Sequence, residues 1–456
     1  MHNLKGRSMK DNLFNIKLPK PVGYILKKLK EAGYEAYIVG GCVRDSIIGR
    51  EPEDWDITTS ALPEEIKTVF RKTVDTGIQH GTVTVILRDD PEDKDSELRG
   101  YEVTTYRIDG EYRDGRHPEE VIFTPSLEED LKRRDFTINA MAYNEEHGVV
   151  DLFGGIDDLH NGIIRCVGDP CERFTEDALR MLRAVRFAAQ LDFEIDEPTG
   201  AAVKELSGNL SYVSKERIYA EINKLICSAN PDKIDAVFEL GLSGQICDEF
   251  KKIKPEYIAE IRRHFQEIKN QDEYKPEFVF KQDKSAFDLT SATAVSNRAI
   301  RYAFLCHGMN EEDVKELLRE LKSDNDTIRL SSLFVSACLN AVPCEGYGMK
   351  KEMQKMNARE FDALLEIKRI CSSTVLYKES CKEEDNKRLR DIFKRIIDRE
   401  EPVYIRDLAV GGRELIRAGV KAGPELGSIL DMMLEDVLKE PVHNSVLYLL
   451  SKYVAR

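Results

Sequence analysis

Apolar and polar positions along this chain follow two rhythms, and the change from one to the other falls near residue 150. PVGYILKKLKEAG (21–33) repeats its apolar residues at helical spacing and stops at Gly33, which predicts a helix. YEAYIVGG (34–41) predicts a short buried strand running into paired glycines. DWDITTS (54–60) begins another strand, and ALPEEIKTVFRK (61–72) predicts a helix with Pro63 in its first turn. GTVTVILR (81–88) and YEVTTYRI (101–108) alternate like paired strands, with the acidic insert 89–100 as an exposed hairpin loop between them. LKRRDFTINAMAYN (131–144) sets Arg133, Arg134 and Asp135 before an apolar helical run, and DLFGGIDDLHNGIIRCVGDP (151–170) predicts a short hairpin. Beyond it helices dominate, over 171–192, 196–207, 214–229, 231–241, 298–308 and 311–324. A lysine-rich, low-order stretch around 269–285 interrupts them, and a charged segment, 378–391, leads into the last part. No internal repeat or low-complexity tract is evident. The order is a small unit of mixed helix and strand followed by a long helical array.

One helix stands out. EDALRMLRAVRF (176–187) spaces Asp177, Arg180, Arg183 and Arg186 three residues apart. At about 100° per residue each step moves the charge about 60° backwards around the axis. Asp177 and Arg180 are then neighbours, the later arginines wind along one side, and Met181, Val185 and Ala188 fall on another side and can pack. Taken alone, the stripe reads as a solvated charged face.

Composition changes the picture only in part. The formal net charge is −15, with 41% apolar and 33% charged residues, which suits a helix-rich globular protein. That acidity excludes a general nucleic-acid coat, because phosphate binding needs Lys and Arg. It leaves room for a local basic channel, since binding responds to the field of one surface. KRR (132–134) and the arginine stripe lie apart from the acidic runs 89–97 and 382–386. No apolar run approaches the roughly 18 residues of a membrane span, and the polar start has no signal-peptide core. Ten scattered cysteines without a CxxC pair predict reduced thiols and a cytoplasmic protein.

The chemistry concentrates in YIVGGCVRDSIIGREPEDWDITT (37–59). Gly40 and Gly41 end a strand and open a short helix, so backbone N–H groups can approach an anion closely, and Arg44 one turn on adds a cation. Asp54 and Asp56 stand at i and i+2 on a strand and project from one face. Two carboxylates so placed repel each other unless a divalent cation sits between them. With the glycine turn ahead of them they suggest two-metal nucleotidyl transfer. A third carboxylate is expected on a neighbouring strand. Glu102, which shares a face with Thr104, is the first candidate, and Asp135 is its rival, although Asp135 equally suits a helix cap.

GGCVRD, DWDITT, EVTTYRIDGEYRDGRHP, LKRRDFTINAMA, EDALRMLRAVRF and KERIYAEI occur here in the order and spacing of the class II tRNA nucleotidyltransferases, the CCA-adding enzymes. The resemblance covers roughly residues 35–225 closely and the remainder more loosely, including LAVGGRELIRAGVKAGPELGSIL (408–430). It implies an α+β fold class: a polymerase-β-like nucleotidyltransferase head with a mixed sheet (1–155), then an all-α neck (156–230), body (231–377) and tail (378–456). It implies Mg²⁺ on Asp54 and Asp56, and a triphosphate held by Gly40, Gly41, Arg44 and Arg134. CTP and ATP would be the substrates, and the tRNA 3′ end and acceptor arm the partner, with the chain a monomer or homodimer off the membrane. Asp177 and Arg180 would select the base. Cytosine and adenine each present an amine donor beside a ring-nitrogen acceptor; Asp177 can only accept and Arg180 can only donate. Arg183 and Arg186 would face phosphates or form structural ion pairs. The loop 107–123 would accompany addition of the terminal A. Where some relatives carry a metal-dependent HD region, His307 is followed here by Gly308, so no second catalytic centre is expected. An A-adding enzyme, a poly(A) polymerase and a non-catalytic RNA-binding protein are the alternative readings.

Overall fold

The computed structural model describes residues 14–89, 96–109, 121–269, 289–372, 374, 377 and 382–454. Parts of the acidic insert, of the loop 107–123 and of the stretch 269–285 thus lie outside the described residues. The chain divides into two compact units, Met1–Asp248 and Glu249–Arg456.

The first unit opens with α1 (Lys20–Glu31), whose Val22, Ile25, Leu26 and Leu29 are buried at i, i+3, i+4 and i+7. Then come β1 (Ala36–Val39), α2 (Gly41–Ile47), β2 (Ile57–Thr59), α3 (Pro63–Val69), β3 (Thr73–Gly77), β4 (Thr82–Arg88) and β5 (Leu98–Thr105). A small ribbon, β6 (Arg107–Asp109) with β7 (Val121–Phe123), precedes α4 (Leu127–Lys132), β8 (Met141–Asn144) and β9 (Gly148–Asp151). The main sheet runs β3-β4-β5-β2-β1-β8-β9. Only β2 and β5 pair in parallel, so the sheet is mixed as expected. Its centre is dry: Ile38, Val39, Ile57, Val103 and Ala142 are buried. Helices follow: α5 (Gly155–Asn161), α6 (Pro170–Glu176), α7 (Leu179–Leu191), α8 (Glu197–Leu206) and α9 (Lys215–Ile226), with β10 (Ile163–Ile164) pairing in parallel with β11 (Glu194–Ile195).

Four local expectations are corrected. The strand expected from residue 54 begins at Ile57, and Asp54 and Asp56 lie on the extended chain before it. The apolar run after Asp135 is a single 3₁₀ turn, Thr137–Asn139, and then β8. β8 sits between β1 and β9 with Met141, Ala142 and Tyr143 buried, and a strand enclosed on both faces has no alternation to betray it. The hairpin expected in 151–170 is instead helix α5 between β9 and β10. Asp151 accepts the Gly155 and Ile156 N–H groups at 2.8 and 2.9 Å and so starts that helix. The single helix expected over 171–192 breaks at Asp177, whose backbone is extended (φ −143°, ψ 102°). Met181, Val185 and Ala188 are buried on α7 as their spacing predicts.

The second unit is helical throughout its described residues, with Phe304, Phe334, Phe361 and Phe393 in its interior. A C-terminal cluster gathers Val410, Leu415, Met433, Val437 and Leu449. His307 is buried beside Tyr257, His264 and Tyr377, 2.6 Å from the Glu260 carboxylate. No described helix is long and apolar enough to cross a membrane.

Candidate active site

β1 ends at Val39, and Gly40 turns the chain with φ 82° and ψ −131°, a conformation that favours glycine. A Cβ at Gly40 would stand 3.2 Å from the Arg134 Nη1, so the missing side chain lets that guanidinium lie against the turn. Arg44 reaches back over Gly41: a Cβ there would stand 3.6 Å from its Nη2. Arg44 is nearly buried. It donates from Nε and Nη2 to Asp45 at 2.9 Å each, and from Nη1 to Asn139 Oδ1 at 2.7 Å. Arg134 is held by Asp130, which is wholly buried and also takes both Nε and Nη2 of Arg133 and the Thr58 hydroxyl. Burial alone would raise the Asp130 carboxyl, but Arg134 and Arg133 together bring it below the usual carboxylate range. The Arg134 Nε is buried and finds no acceptor among the described residues. A buried donor without a partner is costly, and an anion on the glycine turn would answer it.

Asp54 and Asp56 lie just ahead of β2, and Glu102 lies along the neighbouring β5. The Asp56 carbonyl accepts the Val39 N–H at 3.0 Å, which carries the β1–β2 ladder one residue past the strand. In the parallel β2–β5 register Ile57 faces Val103 and Thr58 faces Thr104, so Asp56 falls level with Glu102. Val103 and Thr105 point into the core while Glu102 projects from the opposite face. Asp56 is open to water at one edge, yet the surrounding protein raises its carboxyl above the ordinary value; Arg134 opposes the rise and Asp54 adds to it. Partial burial raises Glu102 first, and Asp56 and Asp54 push it further. With Asp54 beside them, these two carboxylates offer hard oxygen donors of the kind that suit a divalent cation. Asp135 does not join them. It is 8% exposed, accepts Arg183 at 2.8 and 2.5 Å, and also accepts the Phe136 N–H and the Asn139 amide. Burial works against its charge, but Arg183 and Asn139 hold it at about 2.

The helix that carries the stripe differs from its expected form. The Arg180 N–H still bonds the Asp177 carbonyl at 3.0 Å, so the two residues remain a turn apart. Their side chains, however, have separate partners. Asp177 accepts the Leu179 N–H on one oxygen and Arg217 on the other, at 3.1 and 2.7 Å. Arg180 donates to Glu176 at 2.5 Å and to the Arg173 and Arg133 carbonyls at 3.2 and 3.0 Å. Arg183 pairs with Asp135, and Arg186 pairs with Glu221 at 2.5 Å. Of the two roles left open for Arg183 and Arg186, these contacts are the structural ion pairs. Sequence reasoning missed Asp130, Asn139, Glu176, Arg217 and Glu221. Asp130 stands three and four residues before Arg133 and Arg134, and Glu176 four before Arg180, a spacing that signals such pairs. Arg217 lies forty residues from Asp177 and left no local signal.

A glycine turn flanked by two guanidinium groups, with Glu102 on β5 and Asp54 and Asp56 on the chain leading into the adjoining β2, has the layout of a nucleotidyltransferase. Comparison with known families agrees: the Poly A polymerase head domain matches residues 36–165, the probable RNA and SrmB-binding site of polymerase A matches 192–254, and the putative tRNA nucleotidyltransferase domain 2 matches 294–452. A CCA-adding enzyme of Pediococcus pentosaceus is 36% identical over 432 residues, covering 94% of this chain and 95% of the relative. The crystal structure of the Bacillus stearothermophilus CCA-adding enzyme in complex with CTP is similar with a TM-score of 0.70 at 30% identity, over 96% of this chain and 98% of that one. The Thermotoga maritima CCA-adding enzyme complexed with tRNA shares the fold, with a TM-score of 0.62 at 20% identity over 97% and 96% of the two chains. The chain belongs to the family of CCA-adding enzymes.

Proposed function

We propose that this nucleotidyltransferase adds C, C and A in turn to the 3′ end of tRNA from CTP and ATP, in the cytoplasm. The observation that carries the reading is the register that sets Asp56 level with Glu102, with Asp54 near both, on the sheet that also carries the turn of Gly40 and Gly41 with Arg44 and Arg134 beside it. The terminal 3′-oxygen of the tRNA attacks the α-phosphorus of the nucleotide, a new P–O bond forms, and pyrophosphate leaves. Mg²⁺ held by Asp54 and Asp56, with Glu102 beside them, would lower the charge on the phosphates and the pKa of the attacking hydroxyl. Arg44 and Arg134 hold the leaving pyrophosphate over the glycine turn. Asp177 accepts the exocyclic amine of cytosine or adenine, and Arg180 donates to the ring nitrogen. Uracil and guanine present the reverse order and leave unpaired groups at both positions. The division into head, neck, body and tail assigns the chemistry to 1–155, base selection to 156–230, and the grip on the tRNA to 231–377 and 378–456.

Purified protein given tRNA lacking its last one, two or three nucleotides, with labelled CTP or ATP, tests this reading. Addition of C to the two shorter tRNAs and of one A to the longest is the expected result. AMP transfer alone would reassign the protein as an A-adding enzyme, repeated AMP transfer as a poly(A) polymerase, and no transfer as a non-catalytic RNA-binding protein.

A further inference from the structure

Phe187 lies on α7, on the neck side of the site, yet it touches the residue that arches over the glycine turn. Three guanidinium groups converge on its ring: the Arg186 Cζ lies 3.8 Å from the ring centroid, that of Arg44 5.2 Å and that of Arg183 5.4 Å. The ring is 6% exposed and stands edge-on to Phe136 at 5.8 Å. Three like charges gather here because each has its own carboxylate, Asp45 for Arg44, Asp135 for Arg183 and Glu221 for Arg186, and because the ring offers them an electron-rich face. The contacts that fix Arg44 divide by origin. Asp45 and Asn139, which take its N–H edges, belong to the head. Phe187 belongs to the neck, and its ring lies beside the same guanidinium. The head thus supplies the hydrogen bonds to Arg44 and the neck supplies the aromatic contact.

We infer that Phe187 is a positioning residue for the triphosphate site, holding the Arg44 guanidinium over Gly41 from the neck helix. This rests on the reading of Gly40, Gly41 and Arg44 as the triphosphate cradle. Two consequences separate it from simple packing. Phosphates are common to all nucleotides, so loss of the ring weakens CTP and ATP by the same factor and leaves the preference for CTP over UTP as it was. A ligand with phosphates and no base feels the loss as much as a nucleotide does.

Inorganic tripolyphosphate is that ligand, titrated calorimetrically into the full chain in one magnesium buffer. Phe187→Leu keeps apolar bulk and removes the π face. Its dissociation constant is expected to rise about fivefold, the size of one partly desolvated guanidinium–ring contact. The KM values for CTP and ATP should rise in parallel. Phe187→Met repeats the test should the leucine variant not fold, and Phe187→Tyr, which keeps the ring face, should bind within about twofold of the parent. Arg44→Ala tests the underlying reading. If it binds tripolyphosphate like the parent, the triphosphate assignment fails and this inference falls with it. If Arg44→Ala weakens binding while Phe187→Leu and Phe187→Met do not, or if Phe187→Tyr is as weak as they are, the inference alone is overturned. A changed CTP-to-UTP ratio in Phe187→Leu would also overturn it, since it would place the effect on the base-reading side chains.

Discussion

Asp135 and Arg183 face each other with the carboxylate almost wholly out of water. Removing one member of such a pair strands the other, at a cost of about 3–5 kcal/mol. Asp135→Asn is therefore expected to lose that much stability at pH 7. The Asp135 carboxyl is held at about 2 in the folded chain, below the roughly 3.9 of an unperturbed aspartate. A depressed carboxylate contributes stability that is fully present above its unfolded value and is lost as pH falls through the folded one. The gap between parent and variant should therefore hold from pH 7 to near 4 and narrow towards 2. Urea melts across that range measure it, and a gap independent of pH would deny the ion pair its role. Asp56 and Glu102 behave in the opposite sense. Their carboxyls are raised, so without metal the folded chain loses stability as pH climbs through their folded values. Asp56→Ala should abolish CMP and AMP transfer alike while leaving the metal-free protein no less stable than the parent. Near-normal turnover in that variant would sink the metal assignment.

Between α6 and α7 the chain opens for one extended residue, and Asp177 occupies it. The side chain thus serves the start of α7 through the Leu179 N–H as well as any base. Asp177→Ala removes both services and should cost about 0.5–2 kcal/mol in stability. Asp177→Asn keeps an acceptor for Leu179 but adds an N–H that a cytosine or adenine amine meets badly. Losing one hydrogen bond to a charged group costs about 1.5–3 kcal/mol, or roughly one to two decades in selectivity. The asparagine variant should discriminate poorly between CTP and UTP while losing only the stability that the Asp177 charge opposite Arg217 supplied. Measured kcat/KM for all four nucleotides decides the point, and unchanged ratios would confine Asp177 to its helix. This break also marks where the sequence stopped being legible. EDALRMLRAVRF has helical periodicity throughout, and nothing local announces that an arginine forty residues away will hold Asp177 outside the helix. The apolar run after Asp135 deceived for another reason, since a strand covered on both faces resembles a buried helix. By contrast, the glycine turn was readable because Gly40 and Gly41 sit where a strand runs into a helix, and the outward face of Glu102 because it alternates with the buried Val103.

The whole molecule carries a net charge of −15, yet its candidate site is rich in arginines. Those of the candidate site and of α7 have carboxylate partners: Arg44 with Asp45, Arg134 with Asp130, Arg180 with Glu176, Arg183 with Asp135 and Arg186 with Glu221. Every one of these residues lies in the first unit. Ligands that bind only the folded state stabilise it, by about 2.7 kcal/mol at a hundredfold excess over the dissociation constant. CTP with Mg²⁺ should therefore raise the melting temperature of the parent. The same CTP with the metal chelated, or the Asp54→Ala protein with both present, should show a smaller rise, and equal rises would place nucleotide binding outside the carboxylate site. Arg180 sets a last condition on what the molecule can write. Three of its five N–H groups are already spent on Glu176 and on the Arg173 and Arg133 carbonyls, leaving Nε–H and one hydrogen on Nη2. Cytosine can receive both, at its ring nitrogen and its carbonyl. Adenine offers only the ring nitrogen, with a C–H beside it. On the proposed reading cytosine is the default letter of this enzyme, adenine arrives one hydrogen bond short, and the order C, C, A is a standing preference that has to be overridden once, at the final step.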